Sequence, residues 1–193
     1  MEEKMKLYLV MLGCTVKGRL TEQHDVFFGI GNSLSQLVPK IKEFWPDANK
    51  DIHIDVWREI TSVDNFSICV VPKNDVVESN LNSPKLFFLN LGGYKPNEFE
   101  EYHYKMLTVT DTIADAIKKS KKSVFYKHFG FKGAVSHIDE KYGIDVDDFY
   151  NVSDILSPAD QDIYSIKISA SDEIFVKQDE FHIGYLKLNK IPK

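Results

Sequence analysis

The stretch "KLYLVMLGCTVKGRLTEQHDVFFGIGNSLSQLVPKIK", residues 6–42, lies without a gap on "KLFFLNLGGYKPNEFEEYHYKMLTVTDTIADAIKKSK", residues 85–121. Identical pairs are Lys6/Lys85, Leu7/Leu86, Leu12/Leu91, Gly13/Gly92, Glu22/Glu101, His24/His103, Lys40/Lys119 and Lys42/Lys121. The apolar pattern repeats as well: Phe27/Met106, Phe28/Leu107, Ile30/Val109, Leu34/Ile113 and Val38/Ile117. Self-similarity at a fixed offset marks a repeated supersecondary unit. Further on, "HID" at 53–55 faces "HID" at 137–139, and "VDNF" at 63–66 faces "VDDF" at 146–149.

Each unit reads the same way. Lys6 to Leu12 is an apolar run closed by Gly13, a buried strand. A polar, Gly-containing loop leads to a second short strand from His24 to Ile30. Asn32 or Ser33 then offers a short polar oxygen to cap a helix. The helix carries Leu34, Leu37, Val38, Ile41 and Trp45 on one stripe. In the second unit the caps are Asp111 or Thr112, and the stripe is Ile113, Ile117, Ser120 and Val124. Pro39 removes a helical hydrogen bond, so a kink or a late helix start is expected. "IHIDVWREI" (52–60) and "FSICVV" (66–71) read as strands, and "YSIKISAS" and "FHIGYLKLN" as a closing hairpin.

These readings predict an α+β (mixed α/β) fold of two sequence-related strand–strand–helix–strand units arranged with pseudo-two-fold symmetry. The first unit covers residues 1–71 and a Pro-bracketed linker covers 72–84. The second unit covers 85–153, and C-terminal strands at 154–193 complete the fold.

Composition narrows the classes of function. The 193 residues are 43% hydrophobic and 27% charged, the balance of a globular chain. A net charge of −5 opposes general nucleic-acid binding, which needs a concentrated positive field. "KKSKKS" (118–123) closes a helix, where lysines offset the negative dipole end. No apolar run is long enough for a membrane span, and no signal peptide is visible. Cys14 and Cys69 make no disulfide framework or metal-type spacing, so a cytoplasmic location is expected.

The histidines carry the chemistry to be weighed. Glu22 and His24 recur as Glu101 and His103; His53–Asp55 and His137–Asp139 form the second repeated pair. Residues i and i+2 of a strand share a face, so each pair can point one way. Such pairs suit a metal site or acid–base work. They equally suit hydrogen bonds that tie a loop to its strand.

Other candidates are weaker. Lys17 and Arg19, in the loop "GCTVKGR", could hold an anion, although no helix N-terminus follows. Cys14 beside His24 would resemble a nucleophile pair, but Gly93 replaces it in the second unit. Gly13 and Gly92 fit a turn with positive φ. Asp145, Asp147 and Asp148 resemble a calcium loop without its glycine and final glutamate.

"LYLVMLGC", "GRLTEQHDVFFGIG", the helix ending in "FWP", "HIDVWRE" and "HIDEKYGIDVDDFY" resemble a bacterial family catalogued as domain of unknown function 1543. The resemblance spans about residues 6–150. It implies a soluble bacterial protein with one or two copies of the domain, and assigns no chemistry. Two functions follow as expectations. One is a non-catalytic module that binds a small ligand or a protein partner, homodimer included. The other is a metal-assisted or acid–base hydrolase using Glu22, His24, Glu101 and His103 where the halves meet. No metal or cofactor is assigned from the sequence.

Overall fold

A computed structural model describes residues 4–48, 51–75, 84–95, 97–122, 144–171 and 178–192. In chain order the elements are β1 (Lys6–Cys14), β2 (Gln23–Gly31), α1 (Leu34–Phe44), β3 (His53–Ile60), β4 (Ser62–Val63) and β5 (Phe66–Pro72). Then come β6 (Lys85–Tyr94), β7 (Glu101–Thr110), α2 (Ile113–Ser120), β8 (Ile144–Asn151), α3 (Pro158–Ile163), β9 (Tyr164–Ala170) and β10 (His182–Lys187). The fold is mixed α+β with antiparallel sheets. Among the described residues no helix is long and apolar enough to cross a membrane.

The chain divides into two compact units, 1–78 with 155–193, and 79–154. In unit 1, β1 pairs with β2 and β3, and β10 adds outside β3, giving the order β10-β3-β1-β2. A second sheet has the order β4-β5-β9. In unit 2, β6 is central between β7 and β8. Both units therefore run hairpin, helix, return strand, with the first strand central to the other two. The expected C-terminal hairpin is not what forms. β9 pairs with β5 and β10 with β3, because each completes a different sheet of unit 1.

The cores follow from strand alternation. Tyr8, Val10, Leu12 and Cys14 point from β1 toward Leu34, Leu37 and Ile41 of α1. In unit 2, Phe87, Leu89 and Leu91 of β6 meet Ala116, Ile113 and Ile117 of α2. Each fully buried aliphatic chain contributes about 1.5–3 kcal/mol.

The helix starts differ. Thr112 caps α2, its hydroxyl accepting from the Asp115 amide at 3.2 Å. Ser33 occupies the cap position of α1 but its side chain accepts no capping bond. Instead the Gln36 side chain accepts from the Asn32 amide at 2.9 Å. α1 begins at Leu34 and runs through Pro39, so the helix does not wait for the proline.

The second half of the sequence alignment shifts in the structure. "VDNF" (63–66) turns between β4 and β5, whereas "VDDF" (146–149) lies in β8. β8 pairs with β6 as β3 pairs with β1, so the counterparts of His53, Ile54 and Asp55 are Asp145, Val146 and Asp147. Asp145, Asp147 and Asp148 therefore belong to a strand and not to a calcium loop. His137 and Asp139 lie outside the described residues, as does most of the expected linker.

Candidate metal centre

The centre of unit 1 is built over one glycine. Gly13 pairs with His24 on β2 and with His53 on β3, so the two imidazoles flank it. One residue later the register breaks: Leu12 faces Ile54 but Met11 faces Val56. Asp55 is the extra residue of this bulge, and a bulge re-aims the side chain it carries. A Cβ on Gly13 would lie 2.4 Å from His53 Nε2 and 2.6 Å from Asp55 Oδ2. Any side chain at position 13 would force His53 or Asp55 to shift. Positive φ among described glycines occurs at Gly18 and Gly184, not at Gly13 or Gly92, which overturns the turn expectation.

Four side chains close into a ring. His53 Nε2 lies 3.1 Å from Glu22 Oε1 and 3.3 Å from Asp55 Oδ1. His24 Nε2 lies 3.6 Å from Glu22 Oε2 and 3.3 Å from Asp55 Oδ2. His53 is the anchor, with its side chain 4% exposed, whereas Glu22 and His24 are open to solvent on one side. The Tyr185 ring of β10 covers His53 at 4.2 Å.

The tautomer of His53 follows from its other nitrogen. Nδ1 is 3.2 Å from the Asp51 carbonyl, which can only accept, so Nδ1 carries a proton. Nε2 then faces one carboxylate oxygen of Glu22 and one of Asp55. Asp55 Oδ2 is buried and accepts no hydrogen bond. Charge-assisted N–H···O contacts usually measure about 2.7–2.9 Å. Two donors on one tetrahedral ion, each at about 2.1 Å, stand about 3.4 Å apart.

Unit 2 repeats the plan with one change. Gly92 pairs with His103, and a Cβ there would lie 2.4 Å from Asp147 Oδ2. The register breaks between Asn90 and Leu91, which makes Asp147 the bulged residue. His103 Nε2 lies 3.4 Å from Asp147 Oδ2 and 3.9 Å from Glu101 Oε2. Tyr94 donates to Glu101 Oε1 at 2.7 Å, which orients the carboxylate and pushes the phenol pKa up. One donor atom from each of Glu101, His103 and Asp147 lies within 4.8 Å of the other two.

Residues 19–70 match the family model Domain of Unknown Function (DUF1543). That segment carries all four ring residues of unit 1 and supports the family, while the counterparts in unit 2 lie beyond it. No curated protein matches the chain. The chain is similar in fold to the crystal structure of protein Il1583 from Idiomarina loihiensis. The TM-score is 0.57 at 20% identity, over 95% of this chain and 97% of that one.

The other sequence candidates fall apart from the ring. Lys17 and Arg19 lie in the exposed β1–β2 loop, where the Arg19 amide donates to the Val16 carbonyl. Cys14 is buried on the α1 side of β1, and its thiol donates to the Ala48 carbonyl at 3.2 Å. It does not form a nucleophile pair with His24. Sequence reasoning weighed Asp147 only within a calcium-type loop and not as the partner of Glu101 and His103. The signal was present as the spacing Ile144-Asp145-Val146-Asp147, parallel to Ile52-His53-Ile54-Asp55.

Proposed function

We propose that this protein is a binding module whose ligand is a divalent metal ion, held by Glu22, His24 and Asp55 in unit 1 and Glu101, His103 and Asp147 in unit 2. One observation carries the reading. The same trio is assembled twice, each time with its aspartate in a strand bulge and packed close against a glycine whose Cβ would collide with it. A carboxylate–histidine hydrogen bond that only tied a loop would need neither the bulge nor the bare glycine. Imidazole and carboxylate are the donors that Zn²⁺, Mn²⁺ and related ions take in proteins.

The wider frame of the proposal is a bacterial, cytoplasmic chain in which one domain has been duplicated. Metal-assisted hydrolysis is the second reading. It is favoured by the solvent-open side of each trio, where an ion could keep a water.

The test is titration of chelator-treated protein with Zn²⁺ and Mn²⁺, followed by calorimetry and by thermal unfolding. Binding near two equivalents, reduced by one in Asp55→Ala and by one in Asp147→Ala, is the expected result. No heat and no shift with either ion in the wild type would overturn it. Hydrolysis of model phosphate or ester substrates by the loaded protein, lost in the same variants, would favour the second reading.

A further inference from the structure

The last strand of unit 1 lies against the centre without supplying a ligand to it. β10 adds outside β3 and comes from the C-terminal segment, beyond the residues 19–70 that match the family model. Its register slips beside the Asp55 bulge. Ile183 faces Val56 and Leu186 faces Ile54, so Gly184 and Tyr185 together stand opposite Asp55. Gly184 has a φ of 141°, and nothing lies within 4 Å of a Cβ built there, so this glycine serves backbone conformation and not space. A break of this kind re-aims the side chain beside it. Here the Tyr185 ring is laid on His53, with centroids 4.2 Å apart. Resting on the metal reading above, we infer that His53 and Tyr185 are positioning residues of the unit 1 centre, and that metal loading and the docking of β10 are coupled through them.

The support lies in how the two carboxylates divide their oxygens. Glu22 Oε1 and Asp55 Oδ1 lie 3.1 and 3.3 Å from His53 Nε2. The other oxygens, Glu22 Oε2 and Asp55 Oδ2, face His24 Nε2 at 3.6 and 3.3 Å. One imidazole therefore orients two of the three ligands, and outer contacts of this kind change metal affinity by about 10–100-fold. His53 is held in turn at Nδ1 by the Asp51 carbonyl and on its ring face by Tyr185. Tyr185 is 62% exposed, so it buries too little surface to act as core. β10 itself is lightly held. Leu186 packs against the core and His182 stacks on Trp57 at 3.9 Å, whereas Ile183 is 81% exposed. A strand with few buried side chains opens locally at small free energy. An ion that fixes Glu22 and Asp55 fixes His53, and with it the surface on which Tyr185 rests. Ion binding thus favours the docked strand, and by reciprocity the docked strand raises affinity for the ion.

The experiment uses the full chain, stripped with chelator and carrying Asp147→Ala so that unit 1 alone is read. Zn²⁺ binding is followed by calorimetry, and amide hydrogen exchange over His182–Lys187 by mass spectrometry with and without Zn²⁺. The expected result is exchange in β10 slowed at least about fivefold by Zn²⁺. Tyr185→Ala should lower Zn²⁺ affinity by about tenfold and remove that protection, while Tyr185→Phe should keep both. His53→Gln should lower affinity by about 10–100-fold, and Tyr185→Ala serves where His53→Gln does not fold. A purely structural role for Tyr185 would lower the melting temperature in chelator and leave affinity alone. Zn²⁺ binding by the parent chain with affinity unmoved in Tyr185→Ala, or with β10 exchange indifferent to Zn²⁺, would overturn the inference and leave the metal reading standing. Absence of binding in both the parent and the wild type would overturn both.

Discussion

Asp55 and Asp147 occupy the same register break, each the unpaired residue of a bulge on the strand that returns to the central one. A regular strand would place residues 53 and 55 one pleat apart along one face. The bulge instead brings Asp55 Oδ1 to 3.3 Å from His53 Nε2 while Oδ2 reaches His24 on the far strand. Two units that share a fifth or so of their residues keep this irregularity, and it is the bulge that makes a carboxylate from β3 available to an imidazole from β2.

The glycine beneath each aspartate gives the most direct test of that geometry. A methyl at position 13 would collide with His53 Nε2 and Asp55 Oδ2, and one at position 92 with both Asp147 oxygens. Gly13→Ala should cost about 1–3 kcal/mol of stability through overpacking. It should also weaken metal binding at unit 1 by about 10–100-fold, because the ligands are displaced. Gly92→Ala should act in the same way on unit 2 alone. Denaturant melts in chelator separate the packing cost from the binding loss, and a Gly13→Ala protein with unchanged affinity would contradict the account.

Most strands and helices α1 and α2 were legible in the sequence, because each rests on local periodicity, whereas β8, in a stretch read as a polar acidic segment, and α3 were not. Nor was the ring. His24 and His53 meet through strand pairing across Gly13, and no spacing along the chain encodes that contact. The sequence aligned His53 with His137 because "HID" recurs letter for letter. Strand register places Asp145 there instead, since backbone hydrogen bonds, and not residue identity, decide which positions correspond. Gly13 was read as a turn residue for a related reason: its bareness serves neighbours that lie far from it in the chain.

Cys14 predicts an inert thiol. Burial pushes its pKa up, and the charges of Asp51 and Glu22 push it further. Iodoacetamide at pH 8 should therefore label Cys69 at least about tenfold faster than Cys14, since only the thiolate attacks. The same shift sets a sign for stability. A group whose pKa is raised by folding holds its contribution below the unfolded value and loses it as pH rises through the folded one. Wild type should thus lose stability relative to Cys14→Ala above the ordinary thiol range. Mass-mapped labelling and paired melts check the two halves, and equal labelling of both cysteines would refute the first.

Lys40 and Asp160 form a short, largely buried ion pair in unit 1. Nζ of Lys40 donates to Asp160 Oδ1 at 2.5 Å and to the Ile30 carbonyl at 2.7 Å, joining α1, β2 and α3. The carboxylate is 4% exposed, and its Oδ2 accepts no hydrogen bond. Removing one partner of a largely buried pair strands the other. Asp160→Ala should cost about 1–3 kcal/mol, and Lys40→Met should cost more, because the buried carboxylate is then unpaired. The double variant should recover part of the loss. A double-mutant cycle in urea measures the coupling, and strict additivity would show that the tie contributes nothing.

Pro39 predicts a gain. It is exposed and lies inside α1, where its nitrogen cannot donate to the Ser35 carbonyl one turn back. Proline is about 3 kcal/mol worse than alanine in a helix interior. Replacing it also frees the unfolded chain, which returns about 0.4–1 kcal/mol to the unfolded state. Because the ring is exposed, little packing is lost. Pro39→Ala should therefore stabilise the protein by about 1–2 kcal/mol and raise Tm by about 2–4 °C per kcal/mol. Metal binding should not change, since α1 packs on the face of β1 that carries Val10 and Leu12, opposite the ring over Gly13. A scanning calorimetry trace with no rise in Tm would mean that the helix has adapted around the proline, with the Ser35 carbonyl satisfied by another donor.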